Sequence, residues 1–250
     1  MKLGKKKAIY DKRDLLFADY VDLSVVLPKI PTSFGHEKGI ANFGMLGNDQ
    51  YGDCVFAGGD HETMLWTKEG GNPAAFVDDN ALSDYSAVTG FNKNDPNSDQ
   101  GTDVRQALGY RQKTGLIDSK GNRHKIGAYV ALEPGNHDHI RAAMYLFGAV
   151  GIGIEFPSSA MDQFNAGKHW TYVKNASIDG GHYIPLVAVR SGAWDCITWG
   201  KIQPMTISFF SHYCDEAWGM ISQEMLVNGK SPEGFDLQAL MADLNAIKSK

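Results

Sequence analysis

The sequence predicts an α+β fold, with a helical half followed by a sheet half and a cleft between them. Three observations predict the α+β class. Helical patterns cluster before Val150 and strand patterns follow it. The strand–helix alternation that a doubly wound sheet requires is missing. A chain of 250 residues with 43% apolar content is long enough to bury one full core.

The chain opens with Lys2, Lys5, Lys6, Lys7, Lys12 and Arg13 against one acid, Asp11. The segment 1–26 therefore reads as a basic arm, either solvated and loosely held or lying on an acidic partner or a neighbouring subunit. The stretch 15–26 is apolar enough to pack, and Leu27-Pro28-Lys29-Ile30-Pro31 is an extended, proline-stiffened segment where the compact domain begins. A glycine-rich polar turn covers 44–52. Asp53 is positioned as an N-cap for a helix over 54–68, which Gly70-Gly71 stops. Further helices are expected over 102–114 and, started by Asn136, over 137–147. The segments 150–156, 183–189, 194–199 and 217–222 are rich in β-branched and aromatic side chains and read as strands. Phe235, Leu237, Leu240, Met241, Leu244 and Ile247 recur at three- and four-residue steps, the mark of an amphipathic helix. The expected organisation is an arm over 1–26, a domain over 27–225, and a linker with a terminal helix over 226–250.

Composition narrows the function. Twenty-four basic against 29 acidic side chains give a formal charge of -5, which argues against a nucleic-acid footprint over the whole surface. No apolar run approaches the roughly 20 residues of a membrane span, and no signal-peptide pattern opens the chain. Three cysteines, Cys54, Cys196 and Cys214, are too few for a disulfide framework, so a reducing, cytoplasmic setting is expected. No cofactor or metal is expected. The glycine run 148–153 leaves a helix and enters a strand, the reverse of a phosphate loop. The stretch 95–99 reads as a capped turn in preference to a calcium loop, and His137-Asp138-His139 as a helix start in preference to a ligand pair.

Chemistry is expected at Cys54. A cysteine in the first turn of a helix faces unpaired backbone N–H groups and the positive end of the helix dipole, which favour the thiolate. His182 opens an apolar strand far downstream. A histidine at the mouth of a sheet facing such a cysteine makes a thiolate–imidazolium pair.

These residues sit in a pattern that resembles the papain-like cysteine peptidases. Gln50-Tyr51-Gly52-Asp53-Cys54-Val55-Phe56-Ala57 is similar to the family's segment around its cysteine, Leu82-Ser83-Asp84-Tyr85 to its Leu-Ser-Glu stretch, and Gly101 to Gly115 to its glycine-led helix. Gly181-His182 resembles the histidine turn and Thr198-Trp199-Gly200 the Ser-Trp-Gly segment, in the family's order from about Leu27 to Met225. The resemblance implies a papain-like two-lobed fold, a helical lobe followed by an antiparallel sheet lobe with a cleft between, and with it Cys54 as nucleophile, His182 as general base and later acid, Asn48 beside the oxyanion six residues before the cysteine, and Trp199 as a lid over the histidine. It also marks departures. Ile197 stands where the family has the asparagine that orients the histidine; strand alternation puts Thr198 on the other face, leaving Asp195 or a backbone carbonyl to hold the ring. Asp53 opposes thiolate formation. The stretch ahead of Leu27 is too short for the family's inhibitory propeptide. The segment 205–213 reads as an inserted helix, and with the Gly-Asn-Asp-x-x-Gly-Asp-Cys turn it resembles papain-like proteins of bacteriophage and bacterial genomes. Two functions are therefore expected: a thiol hydrolase acting on a peptide or protein substrate, or a non-catalytic scaffold bound to a structural protein partner, such as a phage virion component, with the arm and terminal helix docking it.

Overall fold

In chain order the elements are β1 (Phe34–Gly35), α1 (Cys54–Glu69), α2 (Asp78–Thr89), α3 (Val104–Lys113), β2 (Leu116–Ile117), β3 (Arg123–His124), β4 (Ala128–Leu132), α4 (His137–Phe147), β5 (Val150–Pro157), α5 (Ser158–Asn165), β6 (Ile178–Arg190), β7 (Ala193–Thr198), β8 (Lys201–Thr206), α6 (Ile207–Tyr213) and β9 (Cys214–Ile221). This computed structural model describes residues 1–19, 29–232 and 234. The helix expected over 235–247 lies outside them, as do residues 20–28 with the start of the extended segment.

The main sheet is antiparallel, in the order β4-β9-β5-β6-β7-β8, with β1 added on β6. Its inner strands are long and apolar: β5, β7 and the central part of β6 are almost continuously buried, as strands covered on both faces must be. Helix α1 is buried along most of its length and packs on β6. Buried Glu62 of α1 fastens this contact and ties α1 to α3 as well. Arg111 Nη1 of α3 donates to Glu62 Oε2 of α1 at 2.6 Å, and the Tyr183 hydroxyl of β6 donates to Glu62 Oε1 at 2.8 Å.

Most expected elements appear where local chemistry puts them. Helix α1 starts at Cys54. The side chain of Asp103 accepts from Gln106 N at the start of α3, and that of Asn136 from His139 N at the start of α4. Asp95 caps a short 3-10 turn, Pro96–Ser98. The elements α2, β4, α5 and β8 and the two-residue strands β1, β2 and β3 were not expected from local patterning. Three local expectations are corrected. Asp53 occupies the N-cap of α1 but its side chain makes no capping bond. Met205 and Thr206 belong to β8, because the left-handed Trp199 (φ 46) and Gly200 (φ 72) turn the chain straight back on β7, so α6 begins only at Ile207. Strand β6 begins at Ile178, ahead of the expected 183–189, so His182 lies within the strand and does not open it.

Candidate active site

Cys54 begins α1 and is 1% exposed. The preceding turn folds back over it through Asn48, whose N–H donates to Met45 O at 3.1 Å and whose Nδ2 donates to Tyr51 O at 3.0 Å. Cys54, Asn48, His61, His182, Ile197, Thr198 and Trp199 all line one cavity of about 10 Å³, the lower limit of the space one water needs. The structure thus brings together three residues expected at the site, Cys54, His182 and Asn48, and closes the space between them.

His182 lies on β6 and is 1% exposed. Its Nε2 is 2.8 Å from Thr198 Oγ1, and its ring stacks on Trp199 at 4.5 Å between centroids and 18° between planes. Among the described residues Nδ1 has no hydrogen-bond partner, Cys54 included. Asp195 does not orient the ring: it faces Arg190, Nε to Oδ2 3.4 Å. The reason is register. Leu186 of β6 opposes Cys196 of β7, so alternation carries His182 and Ile184 onto the face of Cys196 and Thr198. A bulge between Leu186 and Ala188 then sets Asp195 against Ala188 on the other face. Ile197 lines the cavity with no polar atom to offer.

The leading residues close the site. Lys2 N donates to Asn48 O at 2.9 Å, Thr102 N to Gly4 O at 2.7 Å, Lys5 N to Gly181 O at 3.0 Å and Lys6 N to Thr102 O at 3.0 Å. Lys5 and Thr102 form a parallel bridge, so this segment lies between the α3 start and β6 as a short added strand. Asn48 Nδ2 also reaches the Lys2 carbonyl at 3.4 Å. The fit demands glycine: a Cβ on Gly4 would lie 1.8 Å from Gly52 O. Lys5 is 6% exposed and pairs with Asp215 Oδ2 at 2.7 Å and Glu216 Oε1 at 3.2 Å. A loosely held terminus is therefore not what these residues form. The signal was present as an isolated glycine between lysines, but its acidic counterpart, Asp215 and Glu216, lies near the other end of the chain.

Burial sets the charge state of this closed site. It pushes the Cys54 thiol up to about 12, with the neighbouring Asp53 adding in the same direction, while the backbone N–H groups of Tyr183 and Gly4 oppose it. It pushes the His182 imidazole down to about 3 and that of His61 down to about 4. Burial also holds the Asp53 carboxyl well above the usual range. Thiol and imidazole are thus both neutral at pH 7 in the closed form. His61 Nε2 donates to Gly44 O at 3.1 Å and so ties the turn to α1. Among the described residues no group of three or more His, Cys, Asp or Glu is arranged to hold a metal ion.

No protein-family model matches the chain, and no curated protein matches it in sequence. Solved structures do match. Xylellain, a cysteine protease from Xylella fastidiosa, aligns over 88% of this chain and 96% of its own at a TM-score of 0.69 and 15% identity. Digestive procathepsin L 3 of the Tenebrio molitor larval midgut aligns over 81% and 72% at a TM-score of 0.58 and 15% identity. The bromelain protease from Ananas comosus, solved in complex with the E64 inhibitor, aligns over 78% and 100% at a TM-score of 0.56 and 10% identity. At such identities the likeness is one of fold, and the chain has the papain-like fold.

Proposed function

We propose that the protein is a thiol hydrolase that cleaves a peptide or other amide bond through Cys54 and His182 and is latent while Lys2 to Lys6 fill its cleft. The observation that carries this reading is the shared cavity: Cys54 and His182 both line it, with Nε2 of the ring engaged by Thr198 and Nδ1 unpartnered. With the proton on Nε2, Nδ1 keeps the lone pair a base needs. When the leading residues leave, water enters and the main cause of both pKa displacements disappears. The thiol pKa then falls and the imidazole pKa rises, which favours proton transfer from sulfur to Nδ1. The thiolate attacks the carbonyl carbon, and the developing oxyanion faces the Cys54 N–H and the Asn48 amide released from Lys2. The imidazolium returns its proton to the departing amine, and water attacks the thioester.

One observation favours the other expected reading, a non-catalytic scaffold: the thiol is sealed under a segment held by a buried ion pair. Alkylation separates the two. In the full chain carrying Gly4→Val, which cannot keep the segment seated, iodoacetamide should label Cys54 stoichiometrically near pH 7, and His182→Ala should abolish that rate, as followed by mass spectrometry. Labelling at the rate of an ordinary exposed thiol, unchanged by His182→Ala, leaves the scaffold.

A further inference from the structure

Lys5 enters a pocket that has the features of a built recognition site. Its ammonium group meets Asp215 Oδ2, Glu216 Oε1 and the Lys6 carbonyl, at 2.7, 3.2 and 3.1 Å. Glu216 does not depend on Lys5 for its position, because Trp218 Nε1 donates to its other oxygen at 2.9 Å. The stem of the lysine passes over Gly153 of β5, where a Cβ would lie 1.9 Å from Lys5 Cε. Gly153 stands directly opposite Glu216 in the β5–β9 ladder, so the space and the charge are set by one register pair. The backbone that delivers this side chain is extended, bonded to Thr102 on one side and Gly181 on the other, with its neighbour Gly4 packed against Gly52, two residues before Cys54.

A departing arm leaves this pocket with two carboxylates, one of them only 7% exposed, and no cation. Low-dielectric surroundings make an unpaired buried charge costly, so the pocket discriminates by charge as well as by length. We infer that the acidic pocket of Asp215 and Glu216, roofed by Gly153, is a specificity site for a lysine or arginine side chain one residue along an extended backbone from the position Gly4 holds beside Gly52, and that the substrate class is basic peptides. This rests on the thiol-hydrolase reading for its catalytic meaning; the pocket's selectivity does not.

The test is therefore an equilibrium one. Two fluorescein-labelled peptides, Ala-Ala-Lys-Gly-Ala-Ala and the same sequence with norleucine for lysine, are titrated by anisotropy against the full chain carrying Gly4→Val and, separately, Lys5→Glu, whose arm the two carboxylates repel. The lysine peptide should bind at least about tenfold more tightly, and the preference should vanish when Glu216→Gln and Asp215→Asn are added. Equal affinities, no binding of either peptide, or a preference that survives both replacements would overturn the inference. Iodoacetamide labelling of Cys54 in the same chains reports on the hydrolase reading separately, because the anisotropy ratio needs no reactive thiol.

Discussion

Nε2 of His182 lies 2.8 Å from Oγ1 of Thr198, and Trp199, the next residue, stacks on the same ring. A hydroxyl on a buried strand end thus holds an imidazole whose opposite nitrogen is unpaired among the described residues. Thr198 is a positioning residue in this arrangement. Thr198→Val should leave a buried ring nitrogen without its partner, a cost of about 1–3 kcal/mol. In the Gly4→Val background it should slow His182-dependent alkylation of Cys54 about 5- to 100-fold and displace its pH profile. Thr198→Ser should restore both, an outcome a purely structural role would not produce.

Burial of Lys5 also fixes where the arm can be cut. Its side chain is 1% exposed, whereas that of Arg13 is 89% exposed. Brief trypsin treatment of the native chain should cleave after Arg13 and spare Lys5, as read by mass spectrometry. Gly4→Val should make the bond after Lys5 cleavable on the same timescale. Equal cleavage after both residues in the unaltered chain would contradict the seated segment.

Glu62 pairs the helix of the cysteine with Arg111 of α3 and, through the Tyr183 hydroxyl, with the strand of the histidine, and both Glu62 and Arg111 are buried. Arg111→Leu leaves a carboxylate with only the Tyr183 hydroxyl, and should lower the unfolding free energy in urea by about 3–5 kcal/mol. Glu62→Leu combined with Arg111→Leu should cost less than the sum of the two single changes, because no uncompensated charge remains.

His61 gives a pH signature of its own. Burial holds its imidazole down to about 4 against an ordinary 6.5, so the unfolded chain takes up its proton first as pH falls. The stability it contributes is fully present above pH 6.5 and is progressively lost down to about pH 4. The stability of the native chain relative to His61→Gln should therefore be flat above that window and decline through it. Paired urea titrations at several pH values measure this difference, in which the buried carboxyls common to both chains cancel.

The path from sequence to site was uneven for physical reasons. Cys54 was legible because it sits at a helix start, His182 because it stands just ahead of an apolar run that reads as a strand, and Asn48 through the resemblance, which points to the position six residues before the cysteine. Thr198 was visible but assigned to the wrong face. Alternation along one strand says nothing of the bulge on its neighbour, and the bulge between Leu186 and Ala188 decides which of Asp195 and Thr198 shares the face of His182. Helix α2 was missed because its N-cap, Val77, offers no polar cap atom and its apolar positions show little helical periodicity, although Asp78 and Asp79 suit a helix start.

By itself the sequence determined the order of α1, α3, α4, β5, β6, β7 and β9, the α+β class and the candidacy of a cysteine and a histidine, since helix starts, alternation and turns are set by neighbours in the chain. Only the tertiary structure decided the state of that pair. Lys5 is bound by carboxylates at Asp215 and Glu216, and the burial that follows holds thiol and imidazole neutral. Pairing and desolvation depend on what lies nearby in space, and no local pattern in the chain encodes that distance.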